Sequence, residues 1–83
     1  MSSKLFFSNI PYNCSDREFK EWIESYGFRV QSIRLVRDLE YGVSPAFGYA
    51  DLADEATMRK AIETLDGNRI RSHRIQVRHT QAA

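Results

Sequence analysis

Alternation governs the start of the chain: Leu5 and Phe7 fall on one side of an extended backbone and Phe6 on the other, until Asn9, Pro11 and Asn13 interrupt the pattern. A strand running into a loop is predicted. Ser15, with Glu18 three residues later, has the form of a capping box, in which hydroxyl and carboxylate reciprocally satisfy the free amides of a helix start. Phe19, Trp22, Ile23 and Tyr26 follow at i, i+3, i+4, i+7, and Gly27 supplies the left-handed residue that ends many helices. Val30, Ile33 and Leu35 mark a second strand, whose odd spacing between Val30 and Ile33 predicts a bulge. After a loop from Asp38 to Pro45, Phe47-Gly48-Tyr49-Ala50-Asp51-Leu52 alternates again as a third strand. Asp54 is placed to cap a second helix, in which Met58, Ala61, Ile62 and Leu65 repeat the spacing of the first, and Gly67 stops it. The repetition reads as a weak internal duplication. Ile75 and Val77 alternate with Arg74, Gln76 and Arg78 in a final strand, with Ile70 in a short hairpin before it.

Strand, helix, strand, strand, helix, strand is the order of an α+β, ferredoxin-like βαββαβ sandwich: a four-stranded antiparallel sheet with two helices on one face. Two right-handed crossovers place the first and third strands side by side in the middle of the sheet. The helices need an apolar surface to cover, which assigns Leu5, Phe7, Ile33, Leu35, Ala50, Leu52, Ile75 and Val77 to their side. The opposite parity is left to water: Phe6, Phe47 and Tyr49 in the centre, with Arg34, Val36, Arg74, Gln76 and Arg78 on the flanks. Leaving three rings uncovered forgoes roughly 1.5–3 kcal/mol of burial for each, which a purely structural sheet has little reason to do. A lone strand aromatic is more often buried than not. Three on one parity, beside arginines, point instead to a surface that stacks unpaired bases and neutralises phosphates.

Composition changes this picture little. Eighty-three residues, 42% apolar and 28% charged, make one ordinary domain over 1–83 with a core of about 4–79. The net charge of +1 hides an uneven distribution: Arg69, Arg71, Arg74 and Arg78 occupy a C-terminal stretch without acids, while Asp16, Glu18, Glu21 and Glu24 crowd the first helix. No apolar run spans a bilayer or forms a signal peptide, so no membrane partner is expected and the cytoplasm is the default compartment, or the nucleus in a eukaryote. Met1 and the lack of low-complexity flanks fit a complete small protein as well as one domain of a longer chain. A lone Cys14 with His73 and His79 offers no disulfide, zinc or paired-cysteine redox site, so no metal or cofactor is expected.

Leu5-Phe6-Phe7-Ser8-Asn9-Ile10 resembles the six-residue motif of the RNA-recognition-motif family, and Pro45-Ala46-Phe47-Gly48-Tyr49-Ala50-Asp51-Leu52 is similar to its eight-residue partner. The likeness extends to Gly27, Arg37-Asp38, Gly42, Ser44, Ala61-Ile62 and Leu65-Asp66-Gly67, and so covers nearly the whole chain. It implies non-catalytic binding of single-stranded RNA, or of single-stranded DNA, with Phe6, Phe47 and Tyr49 as the rings that meet bases and sugars. Arg34, Arg74 and Arg78 would meet phosphates, Gln76 would read base edges, and Ser8 and Asn9 complete the candidate set. The octamer departs from the family pattern where a basic residue and glycine are replaced by Pro45 and Ala46, which removes one phosphate contact. Leu52 stands for the usual closing aromatic, on the side that faces the helices.

Other features read as structural. Trp22, Phe19 and Ile23 belong to the helix stripe, Arg69 and Arg71 to a solvated hairpin, and Tyr41 to an exposed loop. His79, if close to the open face, would add a contact as its imidazolium. The competing class is a protein-interaction module, using the ring-rich face or the helix face for a partner chain. An enzyme on this topology would need a phosphate cradle, a paired-cysteine loop or a histidine–carboxylate motif, and none is present.

Overall fold

The computed structural model describes residues 4–36 and 46–80. Strands β1 (Lys4–Ile10), β2 (Val30–Val36), β3 (Ala46–Leu52) and β6 (Gln76–His79) form one antiparallel sheet in the order β2-β3-β1-β6. Helices α1 (Asp16–Glu24) and α2 (Met58–Leu65) complete the predicted order, and a two-stranded hairpin of β4 (Arg69–Ile70) and β5 (His73–Arg74) precedes β6. The expected loop around Tyr41, together with Arg37, Asp38, Gly42, Ser44 and Pro45, lies outside the described residues.

One face of the sheet is sealed by the helices. Leu5, Phe7 and Ile10 from β1, Ala50 and Leu52 from β3, and Ile75 and Val77 at the C-terminal end are buried against Phe19 and Ile23 of α1 and Met58, Ala61 and Leu65 of α2. Ile33 and Leu35 of the edge strand β2 are only partly covered, yet they pack on the same core. Phe7 and Phe19 anchor the contact between β1 and α1, their ring centroids 4.8 Å apart and nearly perpendicular. Each fully buried ring of this size contributes on the order of 1.5–3 kcal/mol.

Two irregularities keep the apolar residues on that face. Between Val30 and Ser32 the β2–β3 register shifts, as the odd spacing predicts, so Val30 and Ile33 both face the helices. A second shift, between Phe7 and Ile10, was not predicted. There Asn9 takes a left-handed backbone with φ of 68°, a conformation that asparagine tolerates better than most residues. The extra residue returns Ile10 to the core and leaves Ser8 on the open side.

Both helix starts differ from expectation. Ser15 Oγ accepts from the Glu18 amide at 3.0 Å as predicted, but the Glu18 carboxylate is bound on both oxygens by Arg71, at 2.6 and 3.0 Å. Arg71 is therefore not merely a solvated hairpin residue. It sits at the hairpin tip with φ of 56°, also donates to Asn13 Oδ1, and its guanidinium pKa is raised chiefly by the hydrogen bond to Glu18. Asp54 caps a short 3-10 turn, Glu55–Thr57, rather than α2 itself, accepting from the Ala56 amide at 3.0 Å. Trp22 Nε1 donates to the Arg69 carbonyl at 3.0 Å, a second tie between α1 and the hairpin.

Candidate functional site

The helix-free face is built by strand pairing. Residues directly opposite one another in antiparallel strands project to the same side. Phe6 lies between Tyr49 on β3 and Arg78 on β6, Arg34 and Val36 on β2 oppose Tyr49 and Phe47, and Ser8 opposes Gln76. The centroid of the Phe6 ring is 5.7 Å from that of Phe47 and 5.4 Å from that of Tyr49, both tilted. Phe47 and Tyr49 meet edge to face at 6.4 Å. Three rings on two adjacent strands thus form one cluster on the side that, among the described residues, carries no helix.

Their exposure is graded rather than uniform. Phe47 is 38% exposed, whereas Phe6 and Tyr49 are half-buried, because each ring shields its neighbour. The cluster keeps an apolar surface at the centre of the sheet, and a flat partner landing there would displace water from rings already held by their strands. Around it stand the exposed side chains of Arg34, Gln76 and Arg78. Ser8 Oγ lies 3.4 Å from Gln76 Oε1, a long contact that leaves both groups close to the face.

Asn9 and Arg74 are placed differently. The Asn9 amide nitrogen donates to the Arg74 carbonyl at 2.9 Å, and the Asn9 carbonyl lies 3.2 Å from His73 Nδ1. Asn9 thus fastens the end of β1 to the hairpin, while Arg74 is exposed and pairs with Arg69 in that hairpin rather than with a strand of the four-stranded sheet. His79 does not reach the open face. It opposes Leu5 and lines a groove with Met58, Arg59, Ile62 and Glu63 on the helix side. Tyr26, expected in the helix stripe, lies beyond the end of α1, with its ring edge-on to Trp22 at 5.8 Å.

Three residues of the face escaped the sequence reading, although the same alternation continued by one step would have found them. Lys4 opposes Asp51, and Asp51 opposes Ser32. Lys4 Nζ lies 5.9 Å from the centroid of the Tyr49 ring, and Ser32 Oγ donates to Asp51 Oδ2 at 2.9 Å. Together with Ile33, Arg34 and Tyr49 they line a cleft of about 300 Å³ at one end of the ring cluster. Among the described residues no group of three or more histidine, cysteine or acidic side chains is arranged to hold a metal ion, and no helix is long and apolar enough to cross a membrane. Cys14 is buried.

Residues 5–76 match the family described as the RNA recognition motif. The sequence is 36% identical over 76 residues to a 31 kDa chloroplastic ribonucleoprotein of Nicotiana sylvestris, covering 92% of this chain and 24% of that protein. It is 31% identical over 77 residues to the mitochondrial glycine-rich RNA-binding protein 4 of Arabidopsis thaliana, covering 93% of this chain and 56% of the relative. The chain thus spans about a quarter to a half of the length of these relatives. The solved structure of RNA binding protein PG1 superposes with a TM-score of 0.79 at 27% identity, over 99% of this chain and 98% of that one. The names of the two plant relatives place them in organelles, which does not support the cytoplasmic expectation.

Proposed function

This chain belongs to the RNA recognition motif family, and from that premise we propose that its helix-free sheet face binds single-stranded RNA without catalysing a reaction. Bases stack on Phe6 and Tyr49, and a sugar packs against the more exposed Phe47. Arg34 and Arg78 meet phosphates from the two edges of the sheet, with Arg74 extending the path past the hairpin. Ser8 and Gln76 offer hydroxyl and amide groups to base edges, and Asn9 contributes by fixing the backbone from which Ser8 projects. The observation that carries this reading is the Phe6–Phe47–Tyr49 cluster, with centroids 5.4–6.4 Å apart on the uncovered side. Aromatic rings on neighbouring strands suit unstacked bases, which are accessible in single strands and not in a helix.

The replacement of the octamer's usual basic opening by Pro45 and Ala46 moves the electrostatic contribution onto Lys4, Arg34 and Arg78. The test is fluorescence anisotropy with labelled, unstructured oligoribonucleotides. Changing Phe6 and Tyr49 together to alanine is expected to weaken binding by roughly 2–6 kcal/mol, two stacked bases at about 1–3 kcal/mol each. The circular dichroism spectrum should stay that of the folded domain, since neither ring belongs to the buried core. Full affinity in the folded double variant would overturn the proposal. A parallel deoxyribonucleotide series measures how far the sugar 2′-hydroxyl matters.

A further inference from the structure

The cleft at the Lys4 end of the face holds a carboxylate where a surface built for phosphate would be expected to carry only cations. Asp51 follows Tyr49 by two residues on β3, so both side chains rise from the same face about 6.6 Å apart along the strand. Ser32 Oγ donates to Asp51 Oδ2 at 2.9 Å, which fixes the plane of the carboxylate while leaving acceptor capacity on both oxygens. Tyr49 and Asp51 line the same cleft, so a base resting on the Tyr49 ring would have the carboxylate as a neighbour. Lys4, opposite Asp51 in register, offsets part of its charge, but a base with no donors to offer leaves the carboxylate oxygens it covers without partners.

The base that uses it fully can be identified by its edge. A carboxylate only accepts, and it offers two oxygens side by side. On its Watson–Crick edge guanine presents two adjacent donors, N1–H and the N2 amino group. Cytosine and adenine place an acceptor nitrogen next to their amino group, and uracil flanks its single N–H with two carbonyls. Those edges are open only in single strands. Resting on the RNA-binding reading above, we infer that Asp51, held by Ser32 beside Tyr49, forms a subsite selective for guanine.

The test uses oligouridylates carrying one central guanosine, inosine, adenosine or cytidine. With the unaltered protein the guanosine probe is expected to bind about tenfold tighter than the adenosine probe, a modest value for a bidentate base contact. Inosine, which lacks the N2 amino group, should fall between them. Asp51→Asn replaces one acceptor by a donor and removes the charge, so the guanosine preference collapses while binding of plain oligouridylate holds or rises. Ser32→Ala, which frees the carboxylate plane, should erode the preference partly. Equal binding of all four probes, or a preference that persists in folded Asp51→Asn, would refute the subsite and leave the RNA reading standing. Failure of every probe to bind would overturn both.

Discussion

Asn9 shapes the open face through its backbone. Its left-handed backbone inserts the extra residue that separates Ser8 from Ile10, and its amide group holds the Arg74 carbonyl. Asn9→Ala loses that hydrogen bond and places a Cβ-bearing residue with no polar side chain in a left-handed conformation, an expected cost of about 2 kcal/mol in urea denaturation. Asn9→Gly keeps the conformation and should cost about half as much. RNA affinity should follow stability in neither case; a large affinity loss in stably folded Asn9→Gly would make Asn9 a direct contact instead. The bulge itself was not legible, because Asn9 before Ile10 and Pro11 reads locally as the end of a strand. Phe6, Phe47 and Tyr49 were legible because alternation depends only on sequence order. Lys4, Ser32 and Asp51 obey the same rule but were passed over, since isolated polar residues at strand ends look like ordinary solvated positions. The partner of Glu18 was hidden for another reason: Arg71 is distant in sequence, and a bidentate ion pair outcompetes the local reach back to the cap.

Elements set the spacing between these groups, and Gly48 sets the closest approach. A Cβ there would stand 2.7 Å from Leu35 Cδ2 and 3.0 Å from the Arg34 carbonyl oxygen. The leucine methyl can turn aside, but the carbonyl belongs to the strand that carries Arg34 past Tyr49. Gly48→Ala is therefore expected to destabilise the fold by about 1–3 kcal/mol, the usual cost of overpacking, and to shift the amide resonances of β2 more than those of β6. Unchanged stability would mean that β2 yields freely. Helix α1 depends on its cap in a different way: Ser15→Ala should cost about 1 kcal/mol in thermal or urea unfolding and leave RNA binding alone, since Ser15 lies on the far side of the sheet. The start of α1 was readable because capping is local. Its end was readable in part: Gly27 takes the predicted left-handed conformation, with φ of 95°, but after Glu24 the bonds tighten to i→i−3, Tyr26 N to the Ile23 carbonyl and Gly27 N to the Glu24 carbonyl, and that tighter winding leaves Tyr26 beyond the helix.

For the whole molecule, charge placement matters more than total charge. A net charge of +1 predicts little affinity for a polyanion, yet Lys4, Arg34 and Arg78 lie on the ring-bearing face, while Asp16, Glu18, Glu21 and Glu24 lie on or beside the helix that covers the other side. At physiological ionic strength the Debye length is about 8 Å, so a phosphate at the sheet senses those cations and is largely screened from the acids beyond the core. Each phosphate neutralised on a single strand contributes about −0.7 to the slope of log K against log salt. Three such contacts give a slope near −2, and Arg78→Gln should reduce it by about 0.7 while lowering affinity similarly for every RNA sequence. Arg59→Gln, on the outer surface of α2, removes the same formal charge and should leave the slope unchanged. Equal effects of the two substitutions would mean that binding responds to net charge rather than to its placement, and the sheet face would lose its standing as the phosphate path.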